Sequence, residues 1–164
     1  MERKTLAEQY LENVLLTGSK ITSLEYLRLG IIEESGEIAG KIKKFRRGDY
    51  SVEQFRYQTG KEIGDLCWYL VLYASRNGQN IKDFRPPRNK RIMESINNIE
   101  ILKGQLAKAT HPKHRHKIIE NILGSATDLA WSFGYTMEDI TRINSEKCRD
   151  RFLRNKIKGS GDER

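Results

Sequence analysis

The sequence predicts an all-α protein, and three observations carry that expectation. Apolar residues recur with a period near 3.6 and nowhere alternate as a strand would. Only three prolines interrupt 164 residues, which leaves room for long helices. Ser23, Ser51 or Asp49, and Thr136 stand as capping residues before periodic stretches. The length suits a single domain with a real core.

The first helix spans Leu6 to Leu16 and ends at Thr17-Gly18-Ser19. Ser23 caps a long second helix that reaches about Arg46. Residues 46–51 form a turn, and a third helix runs from there to about Arg76, where Asn77-Gly78 stops it. Pro86 and Pro87 make residues 83–90 a loop. The fourth helix spans about Lys90 to Lys108. Residues 110–116, with His111, His114 and His116, break it as a surface turn without metal spacing. The fifth runs from about Lys113 to Phe133 and stops at Gly134. Thr136 caps a sixth that fades near Asn155, and 156–164 form a basic, glycine-containing flexible tail.

Charged residues make up 32% of the chain, apolar residues 37% and aromatics 9%, which is polar but foldable. No run approaches the roughly 18 apolar residues that a membrane span needs. The first ten residues lack the apolar core of a signal peptide. A cytoplasmic protein without membrane partners is expected. Cys67 and Cys148 read as buried or idle thiols, and Trp68 and Trp131 as core or interface packing. The net charge is +8. Residues 141–164 carry eight Lys/Arg against four Asp/Glu, half of that excess. Such a localised charge fits a phosphate-bearing partner, a nucleotide or a nucleic acid.

The chemistry is carried by acids on the second and third helices. Leu24, Leu27, Ile31, Ser35, Ile38, Ile42 and Phe45 form one stripe. Measured from Ile31, Glu34 lies roughly 60° and Glu37 roughly 120° to the same side, whereas Glu33 lies nearly opposite. Val52, Phe55, Ile63, Leu66, Leu70 and Tyr73 form the stripe of the third helix. From Leu66, Glu62 lies roughly 40° and Asp65 roughly 100° toward the same rotational side. The short turn predicts an antiparallel hairpin, which brings same-side flanks together. Counted from Asp49, Glu37 and Glu34 are 12 and 15 residues back, and Glu62 and Asp65 are 13 and 16 forward. Both pairs therefore reach similar heights. A single Glu-x-x-Glu on a helix is ordinarily a solvated face; two pairs matched in flank and height predict one shared groove. Four close carboxylates repel unless a cation joins them. Oxygen-only ligands select Mg²⁺ or Mn²⁺ over zinc, and neither pair carries the histidine of a di-iron bundle.

Glu33-Glu34-Ser35-Gly36-Glu37 followed by Lys61-Glu62-Ile63-Gly64-Asp65 resembles the EExxE…ExxD signature of the MazG-like all-α nucleoside triphosphate pyrophosphohydrolases. Asn144, Lys147 and Arg151 resemble the family's N-x-x-K-x-x-x-R segment, and the Gly-Ser-Gly-Asp-Glu-Arg ending is similar to that of some members. The resemblance covers the first three helices and residues 134–164. It implies that Glu34, Glu37, Glu62 and Asp65 hold Mg²⁺, with Mn²⁺ as a substitute. It also implies water attack at the α-phosphorus, giving a nucleoside monophosphate and pyrophosphate. Glu33, with Glu37, is implied as catalytic, as a base for that water. Asn144, Lys147, Arg151, Lys61 and Arg164 are implied as contacts to the nucleotide. The resemblance also implies a homodimer or homotetramer.

Two departures stand out. Gln58 occupies a place where some members carry lysine, and an additional helical hairpin intervenes over about 79–130. Narrower activities with the same chemistry are a dCTP- or dUTP-specific pyrophosphatase and phosphoribosyl-ATP pyrophosphohydrolase. A basic helical nucleic-acid-binding module is the alternative of another class. It accounts for the +8 charge but leaves the matched acid pairs without a role, so a nucleic-acid partner is not expected.

Overall fold

The computed structural model describes residues 3–154. They form six α-helices and, among the described residues, no strand. The helices are α1 Leu6–Thr17, α2 Leu24–Arg47, α3 Val52–Arg76, α4 Ile92–Lys108, α5 Pro112–Ser132 and α6 Met137–Leu153. The all-α expectation holds, with ends displaced by no more than about two residues. Thr5, Ser51 and Thr136 each complete a capping box, with Glu8, Gln54 and Asp139. The Ser23 side chain accepts from the Tyr26 N–H.

The histidine-rich stretch departs from expectation. Only residues 109–111 interrupt the helices there, and Pro112 takes the first position of α5. Proline suits that position because its missing N–H would have no intrahelical partner. His114 and His116 thus lie in the first turns of α5 rather than in a surface turn. Arg115 fixes this end, donating to Asn77 Oδ1 at 2.6 Å and to the Ala109 carbonyl at 3.1 Å.

The α2–α3 hairpin is the most extensive helix pairing. Gly48 ends α2 at φ +89, a left-handed conformation that disfavours any side chain. The N–H groups of Gly48 and Asp49 return to the carbonyls of Phe45 and Lys44. Phe45 stacks on Phe55 with centroids 4.2 Å apart, which closes the turn end. Leu27, Ile31, Ser35, Ile38 and Ile42 are buried as the periodicity requires. Leu24 and Val52 are exposed instead; each is the first residue of its helix, where the stripe runs past its packing partners.

The central helix is α3, which touches α1, α2, α5 and α6. Most of its residues from Thr59 to Ala74 are buried. The additional hairpin joins this core rather than decorating it. The α4 helix packs on α2 and α5 on α3, and the α5 segment from Ile118 to Ala130 is largely buried. The preceding loop is pinned by Asp128, whose fully buried carboxylate accepts from Arg85 Nη1 at 2.9 Å, Arg85 Nη2 at 2.6 Å and the Arg88 N–H at 2.7 Å. Burial alone would raise the Asp128 carboxyl, but the Arg85 and Arg88 hydrogen bonds outweigh it and hold it below its usual range.

Candidate metal centre

Three of the four expected ligands converge. One carboxylate oxygen from each of Glu34, Glu62 and Asp65 lies within 4.8 Å of the others. The hairpin explains the meeting: Glu62 and Asp65 stand one turn apart on α3, and Glu34 faces them from α2. Glu37 is not in this group; its side chain is 46% exposed. Glu33 is exposed, as its place opposite the stripe requires.

Each α3 acid has a lysine. Glu62 is 1% exposed and its Oε1 lies 2.9 Å from Lys41 Nζ. Asp65 Oδ2 is paired with Lys147 Nζ, and Asp65 Oδ1 accepts from Asn144 Nδ2 at 2.7 Å. Asn144 is itself positioned: it is buried, and its Oδ1 accepts from the Tyr10 hydroxyl at 2.6 Å. A Cβ on Gly64 would sit 2.8 Å from Asn144 Cβ, so α6 can approach Asp65 only because residue 64 has no side chain.

Desolvation and the carboxylates of Asp65, Glu62 and Glu37 push Glu34 up to about 9, partly offset by Lys147. An acid held neutral by burial and by its neighbours is a group that a cation would ionise. Burial, then the nearby Cys67, Cys148 and Asp65, raise the Tyr10 hydroxyl, which stays a donor. Burial also pushes the Cys67 and Cys148 thiols up to about 12, which suits inert packing. Both cysteines are free.

Arg151, half-buried one turn beyond Lys147, brings its charge to bear on Cys148. The Lys61 ammonium lies 5.4 Å from the Tyr57 ring centroid. Arg164 and the rest of the tail lie outside the described residues. Trp68 is buried and donates to Thr17 Oγ1 at 2.9 Å, a packing role. Trp131 is 51% exposed and therefore not a core residue. It lines a cleft of about 280 Å³ with Phe84, Pro86, Tyr135 and Met137, which includes none of the three acids.

Sequence reasoning missed three residues in or beside the site. Lys41 had a legible signal: it lies four residues from Glu37, on the same flank of α2. Tyr10 had none, because only the packing of α1 against α3 and α6 brings it to Asn144. Lys103 is a third addition beside the site: from α4 it donates to Ser35 Oγ, next to Glu34 in the chain.

Among the described residues, no helix is long and apolar enough to cross a membrane. No family model matches the chain, and no solved structure matches it significantly. The Gene 37 protein of Mycobacterium phage L5 is 36% identical over 58 residues, which are 34% of this chain. The match covers 51% of that protein, so the chain spans about half the length of this relative.

Proposed function

We propose that this chain is a divalent-metal-dependent nucleoside triphosphate pyrophosphohydrolase on the MazG-like plan. It cleaves an NTP or dNTP to the monophosphate and pyrophosphate. The observation that carries this reading is the convergence of Glu34, Glu62 and Asp65 oxygens from two helices, within 4.8 Å. Three hard oxygen donors in that space fit Mg²⁺, with Mn²⁺ as a substitute. When bound, such an ion neutralises triphosphate oxygens and acidifies the attacking water.

The chain's own residues supply the rest. Glu34, Glu62 and Asp65 hold the ion. Asn144, fixed by Tyr10, keeps Asp65 turned toward the cluster. Lys147, paired with Asp65 in the nucleotide-free chain, would exchange that carboxylate for a phosphate oxygen, and Arg151 extends the cationic edge along α6. Lys61 and the tail residue Arg164 belong to the same reading as nucleotide contacts. Of the two catalytic candidates, Glu37 lies on the flank of the cluster, one turn beyond Glu34, whereas Glu33 faces away. Glu37 is therefore the better placed to accept the proton of the attacking water. A homodimer or homotetramer completes the reading. The exposed Leu29 and Ile32 on α2 offer it an apolar face.

The test is an incubation with each NTP and dNTP, and with phosphoribosyl-ATP, in Mg²⁺, with the products resolved. Monophosphate plus pyrophosphate is expected, from whichever base is preferred, and Glu34→Gln lowers the rate by about 100-fold or more. Diphosphate plus phosphate would refute the cleavage position. Salt-sensitive oligonucleotide binding without any turnover would favour a nucleic-acid module instead.

A further inference from the structure

Of the four matched acids, Glu37 alone stays outside the oxygen cluster, and Lys41 stands between it and Glu62. Lys41 Nζ lies 2.9 Å from Glu62 Oε1 and 3.9 Å from Glu37 Oε2, and only 14% of its side chain is exposed. An ammonium bracketed by carboxylates from α2 and α3, and mostly withdrawn from water, occupies a cation position.

We propose that Lys41 is the built-in second cation of the centre. Its ammonium fills the place between Glu37 and Glu62 that a second divalent ion would otherwise take. Each nucleotide-free chain then binds one divalent ion, on Glu34, Glu62 and Asp65. The inference rests on the metal-centre reading above and deepens it.

Charge balance supports a single ion. With Glu34 ionised, the four carboxylates are matched by one divalent cation together with Lys41 and Lys147. A second divalent ion beside the two lysines would add two positive charges next to Glu62, which is 1% exposed, and low dielectric penalises unbalanced charge there. Tethering reinforces the lysine. It is four residues from Glu37 on the same helix, so its local concentration far exceeds that of a free ion. A compact ammonium on a flexible stem is also able to sit between two carboxylates without a fixed coordination geometry.

The experiment is a Mn²⁺ titration of the full chain without nucleotide, with free Mn²⁺ read by electron paramagnetic resonance. The wild-type chain is expected to bind one ion, Lys41→Met two and Lys41→Arg one. Adding Glu37→Gln to Lys41→Met is expected to return the count to one. Two ions on the wild-type chain, or one on a Lys41→Met chain of unchanged helix content, would overturn this inference and leave the metal centre standing. If Lys41→Met does not fold, Lys41→Gln serves in its place, and the wild-type count remains decisive. No ion on the wild-type chain would overturn the metal centre itself, and this inference with it.

Discussion

Burial, helped by Asp65, Glu62 and Glu37, pushes the Glu34 carboxyl up to about 9, against 4.5 for an ordinary glutamate. The sign of the pH effect follows directly. Above about 4.5 the unfolded chain ionises Glu34 while the folded, metal-free chain keeps it protonated until about 9. Its contribution to stability therefore declines as pH rises across that window and is level beyond it. Denaturation of the metal-free protein at several pH values should show the decline, and Glu34→Gln should flatten it. Metal binding near pH 7 should release a proton from the same group. Calorimetry in buffers of different ionisation heat measures that release, and heats that are identical in every buffer would contradict it. The motif Glu33 to Glu37 marked this residue in the sequence. That Glu34 is the acid left neutral was not legible there, because it depends on burial in the hairpin and on carboxylates 28 and 31 positions away in the chain.

Helices and turns were the most legible features. Caps, glycines and prolines act locally, so Ser23, Ser51, Thr136 and Gly48 all serve as their chemistry requires. What stayed hidden is the approach of one helix to another. Gly64 is a plain example: it reads as a helix-weakening residue, yet it makes room for Asn144 on α6. Gly64→Ala should destabilise the fold by about 1–3 kcal/mol through overpacking and weaken the Asn144–Asp65 contact. Gly36, in the same acidic region, is the control. A Cβ there meets nothing within 4 Å, so Gly36→Ala should stabilise by about 0.5–1 kcal/mol through helix propensity. Urea denaturation of the two variants checks both signs. Equal effects would contradict this account of α6 docking.

Across the molecule, four helices build the site while a second hairpin braces it. Residues 79–130 read as an addition only by contrast with the compact proteins the sequence resembles; their own amphipathic patterns do not say what they pack against. In the fold, α5 is core and Asp128 ties the preceding loop to it. Arg85→Ala would leave Asp128 buried without its guanidinium, at a cost of about 3–5 kcal/mol near neutral pH. A carboxyl held below its usual value of 3.8 stabilises the fold above that pH and loses its contribution as pH falls below it. The difference between Arg85→Ala and wild type should therefore shrink in acid, as thermal melts at pH 7 and pH 3 would show. Assembly belongs to the same scale. If α2 carries the interface, Leu29→Glu with Ile32→Glu should reduce the mass in light scattering to one chain, and an unchanged mass would place the interface elsewhere.

The central claim is that Glu34, Glu62 and Asp65 together hold a divalent ion. Anomalous diffraction from crystals grown with Mn²⁺ tests it most directly. A peak bonded to oxygens of all three residues is predicted. Full-occupancy Mn²⁺ elsewhere, with no density among those three carboxylates, would contradict it.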